Sequence, residues 1–466
     1  MATVPVAAVE PLARPAPDVA TGGPGRGRFR NSIAVGLFMG PAAIVLGAIV
    51  VYPTVDTIIR SFFDKSGNTF VGTNNYRTLF GTTEMLIAIR NNAIWVIVFP
   101  FLVTFAGLVF AVLTERIRWA TAFKTVVFMP MAISLFATGV IWRIVYETDP
   151  HRGVINSAVG TIVDAVHPPG LYALPNIKPI SGLAAQPDGS MLSNNTVQPG
   201  GTLKLGLTGI LPENIPPGAQ DAHAPSGASG GVSGAVWRNF SPGGQIGVIG
   251  NGEKGLPGMH LTLLRDGNGS VALTTSVADG SFRFNDVSSG SYRVSVDSSN
   301  FRTPFGGTNW LGIQSLTPTS GLGSTARSLL TIPLVDISEI IAMLWIWSGF
   351  AMVVIGAGLA ALNREVLEAA KVDGANEWQT FRKITLPLLR PVLIVVFITM
   401  IINVLKIFDI ILGLVPDSSQ HEANVIALQM WHLYSRFDYG LSSAVAVVLF
   451  VLVVPVIFFN IRRIRG

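Results

Sequence analysis

The chain has 466 residues, 49% of them hydrophobic and only 13% charged, and its mean hydropathy is +0.51. Soluble domains carry about 25% charged residues, so this composition excludes an ordinary soluble enzyme and points to a membrane protein. Cysteine is absent, which excludes disulfides and thiolate metal sites, and much of the net charge of +5 comes from basic residues flanking apolar runs, which fits membrane topology better than a nucleic-acid face.

Residues 1–30 are rich in Ala, Pro and Gly, with Arg14, Arg26, Arg28 and Arg30 gathered toward the first apolar run. They read as a disordered cytoplasmic tail; a cleaved signal peptide would have its apolar core nearer Met1. Six apolar segments follow, each near the roughly 20 residues needed to cross a bilayer: Ser32–Ile58, Asn92–Leu113, Thr125–Tyr146, Ile337–Leu362, Val392–Leu414 and Gly440–Ile461. The first three fall in a membrane part at 31–167 and the last three in a second part at 309–466. Pro100, Pro130 and Pro455 lie inside spans, where kinks are expected. Basic residues precede the first span, occur at Arg116, Arg118 and Lys124, surround residues 364–391, and return at Arg462, Arg463 and Arg465. With six spans all four clusters share one side, so the positive-inside rule makes both termini and the 364–391 segment cytoplasmic.

Residues 168–308 lack a membrane-length apolar run and are rich in Gly, Ser, Pro and Thr, so they read as an extracytoplasmic insert. Its second half alternates like strands at Met259–Leu264, Val271–Thr275, Ser281–Phe284 and Tyr292–Val296. The breaks between them, Asp266-Gly267-Asn268-Gly269, Asp279-Gly280 and Ser289-Gly290, are turn and hairpin signals. This spacing predicts a small antiparallel β-sandwich; the part from about 170 to 230 reads as loops and short strands of no assigned arrangement.

The segment Arg364–Pro391 is a polar and charged island between apolar runs. Val366, Leu367, Ala370 and Ala375 can share a helical face that Trp378 and Phe381 continue. Small residues and Gly374 leave the backbone open to close approach, and Pro387 is expected to end or kink the segment. The pattern read alone also fits an ordinary amphipathic surface helix. Further on, Asn403, Lys406 and Asp409 place polar groups inside the fifth run, where Lys406 and Asp409 are spaced to share a helical face and pair. Ionisable residues within a span line a cavity or the bundle interior, and a hydroxyl-rich solute suits these three as hydrogen-bond partners. The alternative is a buried structural pair. Trp345 and Trp347 read as interfacial anchors.

No G-x-x-x-x-G-K-[ST] sequence is present to cradle nucleotide phosphates, and the six histidines, His421 and His432 among them, show no metal or triad spacing. An enzyme reading has no support in the sequence. Asn239, Gly243 and Asn251 occupy the insert's turns with Glu253 as the main acid, fewer carboxylates than Ca²⁺ wants.

Glu368, Ala369, Ala370, Asp373, Gly374, Ala375, Ile384, Leu386 and Pro387 together resemble the EAA loop of binding-protein-dependent ABC importer permeases, closely that of the maltose-type sugar permeases. Three other stretches are similar to that family: Phe70-Val71-Gly72-Thr73-Asn74-Asn75-Tyr76-Arg77-Thr78-Leu79-Phe80, Gly153-Val154-Ile155-Asn156 and Asn309-Trp310-Leu311-Gly312. Ile407-Phe408-Asp409 resembles a pattern on the helix that lines the family's translocation cavity, which adds Phe408 to the expected substrate path. The resemblance implies a mainly α membrane protein, a six-transmembrane-helix permease of the bacterial inner membrane that moves a sugar or polyol by alternating access. It implies as partners an ABC ATPase dimer holding the ATP and Mg, a second permease and an extracytoplasmic solute-binding protein, besides the surrounding lipid, and no nucleic acid. Outside it, Gly234-Ala235-Val236-Trp237, Gly252–Gly258 and Asp279–Phe284 resemble the B-type repeats of bacterial adhesins and carboxypeptidase regulatory-like sandwiches. Two rival readings remain open: an importer of a non-sugar solute, and a membrane-anchored adhesion or receptor protein displaying the sandwich.

Overall fold

The computed structural model describes residues 37–464 except 116, 181, 228, 241–244, 266–268, 315–322 and 324–330. The arginine-bearing tail 1–30, the first residues of the first predicted span, Arg116, Gly243, the Asp266–Asn268 turn and Arg465 lie outside the described residues. In chain order the helices are α1 (Leu37–Arg60), α2 (Asn74–Gly81), α3 (Thr83–Thr114), α4 (Ala120–Phe128), α5 (Leu135–Val145), α6 (Val154–Val166), α7 (Leu334–Ala360), α8 (Arg364–Val372), α9 (Glu377–Leu405), α10 (Asp409–Leu414), α11 (Ile426–Ser435) and α12 (Tyr439–Ile464). Contacts divide the chain into one unit of Met1–Phe105, Gly358–Phe408 and Asn424–Gly466, and a second of Ala106–Ala357 and Asp409–Ala423.

Among the described residues α1, α3, α7 and α9 are long and apolar enough to span a bilayer, which makes this a multi-pass membrane protein. The structure does not reproduce six simple spans. The third predicted span is a bent pair, Ala120–Ala132 and Leu135–Val145, meeting at 104°. Pro130 sits in the 3₁₀ turn Met129–Ala132, and Ser134 restarts the helix by accepting the Ala137 N–H at 3.2 Å. The sixth lies within α12, a helix of 26 residues from Tyr439 to Ile464. In the fifth, α9 stops at Leu405 and α10 begins at Asp409.

Two other prolines are absorbed without a break. Pro53 in α1 and Pro387 in α9 each remove one backbone donor and push against the carbonyl four residues earlier. Those carbonyls, of Ile49 and Lys383, lie in π-helical turns at Gly47–Val51 and Phe381–Thr385, where the ladder is already loosened. Pro387 therefore does not end the polar segment, the first of the two expected outcomes; the helix runs on into the span.

In the second unit the insert forms two sheets, one ordered β1-β4-β5-β8 and the other β2-β3-β9-β6-β7. The strands are β1 (Lys178–Pro179), β2 (Leu183–Ala185), β3 (Met191–Ser193), β4 (Thr202–Thr208), β5 (Val232–Arg238), β6 (His260–Arg265), β7 (Ser270–Thr275), β8 (Ser281–Phe284) and β9 (Tyr292–Val296). The four strands read from alternation appear within a residue of their expected limits. The sandwich is not wholly antiparallel, because β4 and β5 run parallel from Thr202↔Ser233 to Leu207↔Arg238. The chain between them, 209–231, is long enough for the crossover that a parallel return requires. The Asp279-Gly280 turn also differs from a hairpin: it carries the chain from β7 in one sheet to β8 in the other. Gly280 has φ +76° and its Cα faces the Val236 carbonyl, so glycine is required there. Leu205, Leu207, Trp237, Leu261, Leu263 and Tyr292 are fully buried, as period-2 patterning demands of inner faces.

Asn156 closes the insert at its root. Fully buried at the start of α6, its Nδ2 donates to the carbonyls of Glu147 (2.8 Å) and Thr308 (2.9 Å). Its Oδ1 accepts from the Thr308 N–H (2.9 Å) and the Trp310 indole (3.0 Å). The family-like stretches around Asn156 and Trp310 are thus adjacent in space although the whole sandwich separates them in sequence. Asn156→Ala strands several buried partners, each costing about 1–3 kcal/mol. A drop in thermal stability of the purified chain is expected, and restoration of the wild-type melting temperature by no substitution except the parent asparagine.

Candidate functional site

The 364–391 segment is two helices joined by a tight turn, so the single continuous face expected across Val366, Ala375 and Trp378 does not form. Asn363 caps α8 by accepting the Glu365 N–H at 2.9 Å. At its far end the Gly374 N–H donates to the Lys371 carbonyl (3.1 Å) and the Ala375 N–H to the Ala370 carbonyl (3.0 Å), with Gly374 at φ +83°. This is a Schellman stop with glycine in its usual left-handed seat. Asn376 then starts α9 with a capping box: its Oδ1 accepts the Gln379 N–H (2.8 Å) while the Gln379 Oε1 accepts the Asn376 N–H (2.9 Å). Asp373-Gly374-Ala375-Asn376 therefore has a complete local explanation, and Gly374 is a folding residue as well as a candidate contact.

What the turn displays is less ordinary. Glu368, Ala369, Asp373 and Gly374 are exposed, Ala375 is half-buried and Ala370 is buried. Val372 is 87% exposed and Trp378 66%, the latter stacked on Phe381 at 5.8 Å. Ile384 and Leu386 are half-buried and Pro387 exposed along the start of α9. Apolar groups this exposed beside charged ones on one helical corner mark a contact surface. Because α9 is continuous from Glu377 to Leu405, a push on the corner is carried along roughly 40 Å of helix, at about 1.5 Å per residue.

The expected substrate-path residues cluster at the other end of that lever. Asn403 is half-buried and its Nδ2 donates to the Thr399 carbonyl at 3.0 Å, within its own helix. Lys406 is exposed and caps α9 outside helical geometry, at φ −107° and ψ 18°. Asp409 is exposed and opens α10. The break removes the shared helical face on which a Lys406–Asp409 pair was predicted. Hydropathy runs through 392–414 uninterrupted, so only the two charges themselves hinted at the interruption. Phe408 is half-buried and packs on Trp431, ring centroids 5.7 Å apart. Trp345 meets Trp142 edge-on at 5.9 Å.

Sequence reading missed two features of this kind. Gly139 on α5 and Gly413 on α10 lie against each other's backbone: a Cβ on Gly139 would fall 2.6 Å from the Ile410 carbonyl oxygen, and one on Gly413 2.6 Å from that of Phe136. Small residues at such spots permit close helix approach in membranes. Asp336 and Glu339 are buried at the head of α7, one turn apart, a spacing legible in the sequence. In the insert, Glu253 is buried and organises its loop, accepting from Asn239 Nδ2 (2.9 Å) and the N–H groups of Phe240 and Gly250 (both 3.1 Å).

Residues 328–464 match the family described as binding-protein-dependent transport system inner membrane component. This part of the chain is similar to that family. It holds α7 to α12, and so both the exposed corner and the broken span. Across 430 residues the chain is 25% identical to the osmoprotective compounds uptake permease protein GgtC of Synechocystis sp., covering 92% of the chain and 98% of the relative. It is 26% identical over 438 residues to the alpha-glucoside transport system permease protein AglF of Rhizobium meliloti, with 94% and 84% covered. The trehalose/maltose transport system permease protein MalF of Thermococcus litoralis is 34% identical over 160 residues, 34% of the chain and 52% of the relative. A bacterial alginate ABC transporter solved with an alginate pentasaccharide-bound periplasmic protein shares the fold, at TM-score 0.51 and 13% identity over 93% of this chain and 94% of that one. An alignment that takes in 92% of the chain must run through most of 168–308, so the insert, expected to stand outside the resemblance, is shared with GgtC.

Proposed function

We propose that the chain is the transmembrane permease subunit of an ATP-driven importer that brings a sugar or polyol into the cytoplasm by alternating access. The observation that carries the reading is the exposed α8–α9 corner built directly onto a span: an ATPase seated there moves α9 as it closes, and α9 ends at the broken helix bearing Lys406, Phe408 and Asp409. The sugar class rests on the relatives, whose names specify alpha-glucosides and trehalose/maltose. Glu368, Ala369, Ala370, Asp373, Gly374, Ala375, Ile384, Leu386 and Pro387 form the ATPase-docking segment. Asn403, Lys406, Phe408 and Asp409 face the solute. ATP and Mg belong to a separate ATPase dimer, and a second permease completes the pathway. With six crossings, counting the bent pair and α12, both termini are cytoplasmic and the sandwich is extracytoplasmic, where it meets a solute-binding protein.

The test is a pull-down of the chain, tagged at Gly466, from its native membrane in mild detergent. The eluate is expected to hydrolyse ATP and to contain a solute-binding protein, and deletion of 170–305 to lose the latter while keeping the former. An eluate without ATPase activity overturns the importer reading. Retention of the binding protein by the deleted chain overturns the role given to the insert.

A further inference from the structure

In the first unit the end of α1, the C-terminal half of α11 and the start of α12 line a half-open cavity of about 490 Å³, within the roughly 300–1,000 Å³ range of small-molecule pockets. Trp431, Tyr434 and Tyr439 line it together with Arg60, Ser442 and Ser443. Trp431 and Tyr434 stack at 6.3 Å and 28°, and Tyr439 meets Tyr434 edge-on at 5.7 Å, so two aromatic planes meet at a corner. Arg60 is steadied by Asp56, which accepts from its Nε at 2.7 Å. The Ser442 hydroxyl donates to the Met430 carbonyl at 3.1 Å, tying α11 to α12.

The family-like segment at 70–80 holds one wall of this structure in place. Asn75 donates to the carbonyls of Ser61 (2.9 Å) and Phe63 (2.7 Å), and the Tyr76 hydroxyl meets that of Ser61 at 2.7 Å. Asp64, held down to about 2 first by the Thr69 N–H and then by the Ser66 hydroxyl, closes the loop. The loop in turn lies against Gly440, whose Cα faces the Phe63 and Asp64 carbonyls.

A second observation points to a ligand. The turn from α11 to α12 is the same Schellman stop seen at Gly374: the Phe437 N–H donates to the Tyr434 carbonyl (2.9 Å) and the Asp438 N–H to that of Leu433 (3.0 Å). Here the left-handed seat, φ +59°, holds a phenylalanine. A bulky residue at positive φ is a genuine outlier, and such strain gathers at ligand clamps. The Phe437 ring contacts Tyr439 at 6.5 Å and 74°, on the rim of the cavity. Glycine would suit the backbone better and would leave the rim without a ring.

We propose that Trp431, Tyr434, Tyr439 and Phe437, with Arg60 and the hydroxyls of Ser442 and Ser443, form a further carbohydrate subsite that adjoins the Asn403–Asp409 path where Trp431 packs on Phe408. An amphipathic ring presents an apolar face to a pyranose while its neighbours accept and donate to the hydroxyls. The inference rests on the sugar-importer reading for its ligand class. Interfacial aromatic anchors, which hold lipid headgroups, are the competing use of such residues.

The test is saturation-transfer NMR on the full chain in phosphatidylcholine nanodiscs, with trehalose and maltose as probes. Transfer to sugar ring protons is expected with wild type and with Trp431→Phe, and its loss with Trp431→Ala and Tyr434→Ala. Phe437→Gly separates a binding role from a structural one: it relieves strain, so the melting temperature should not fall while the sugar signal does. Unchanged transfer in the alanine variants overturns the subsite, as does transfer confined to lipid choline protons. Absence of sugar transfer in a chain that still recovers its ATPase and supports sugar uptake also overturns the subsite and leaves the importer reading standing.

Discussion

Ala369→Trp is expected to abolish sugar uptake and to release the ATPase from the purified chain, while the amount of folded chain in the membrane stays at the wild-type level. Ala369 is exposed on α8 beside Glu368, Val372 and Asp373, and no cap or turn in the segment depends on its side chain. A tryptophan there meets open space in the isolated chain. It obstructs only a partner that approaches α8 closely. Overfilling a packed contact costs about 1–3 kcal/mol, a factor of roughly 5 to 150 in affinity. Gly374→Trp is a poor probe: at φ +83° a tryptophan strains the Schellman stop by about 1–2 kcal/mol before a partner is involved. Gly374→Asn and Gly374→Val make a sharper pair, since asparagine tolerates the left-handed seat and valine does not. Asparagine should retain most of the recovered ATPase activity, and valine should lose it along with helicity at 364–380. Full ATPase recovery with Ala369→Trp would show that α8 is an ordinary surface helix.

The sequence carried the fold wherever one local rule was sufficient. Period-2 alternation gave β6, β8 and β9 because the inner face of each is core, as Leu261, Leu263, Phe282 and Val294 show, whereas in β7 the alternating Val271 and Leu273 face outward and Ala272 is half-buried. Hydropathy located the apolar runs but not their breaks. A helix that stops at Leu405 and resumes at Asp409 has the same average hydropathy as one that does not stop, and the 104° bend after Ala132 depends on Pro130 and Ser134 acting together. The parallel pairing of β4 with β5 was illegible for another reason: alternation marks a strand's faces and carries nothing about its neighbour's direction. Within the candidate site, the EAA-like residues were legible as a motif, whereas their division into two capped helices was encoded in Asn363, Gly374 and Asn376, which periodicity does not weigh.

Gly139→Leu is expected to destabilise the helical part of the second unit strongly, and to abolish uptake with it. At Gly139 the obstructing groups are the Ile410 carbonyl oxygen and the Leu414 N–H nitrogen, at 2.6 and 2.8 Å from an added Cβ. Backbone atoms cannot rotate away as a side-chain tip can, so α10 must move bodily from α5. Overpacking of this kind costs about 1–3 kcal/mol where side chains absorb it, and occasionally more; rigid backbone puts Gly139→Leu at about 3 kcal/mol or above. Gly139→Ala should fall at about 1–2 kcal/mol, because a shift of several tenths of an ångström relieves one Cβ. The consequence for function follows from position: Asp409 is the first residue of α10, so displacing that helix displaces a carboxylate of the proposed solute path. Thermal melting of the purified variants and uptake by cells bearing them measure the two effects separately. Alanine should lower uptake while the chain remains folded, and leucine should remove the folded chain. If leucine melts as wild type does, the close approach of α5 and α10 is not what holds Asp409 in place.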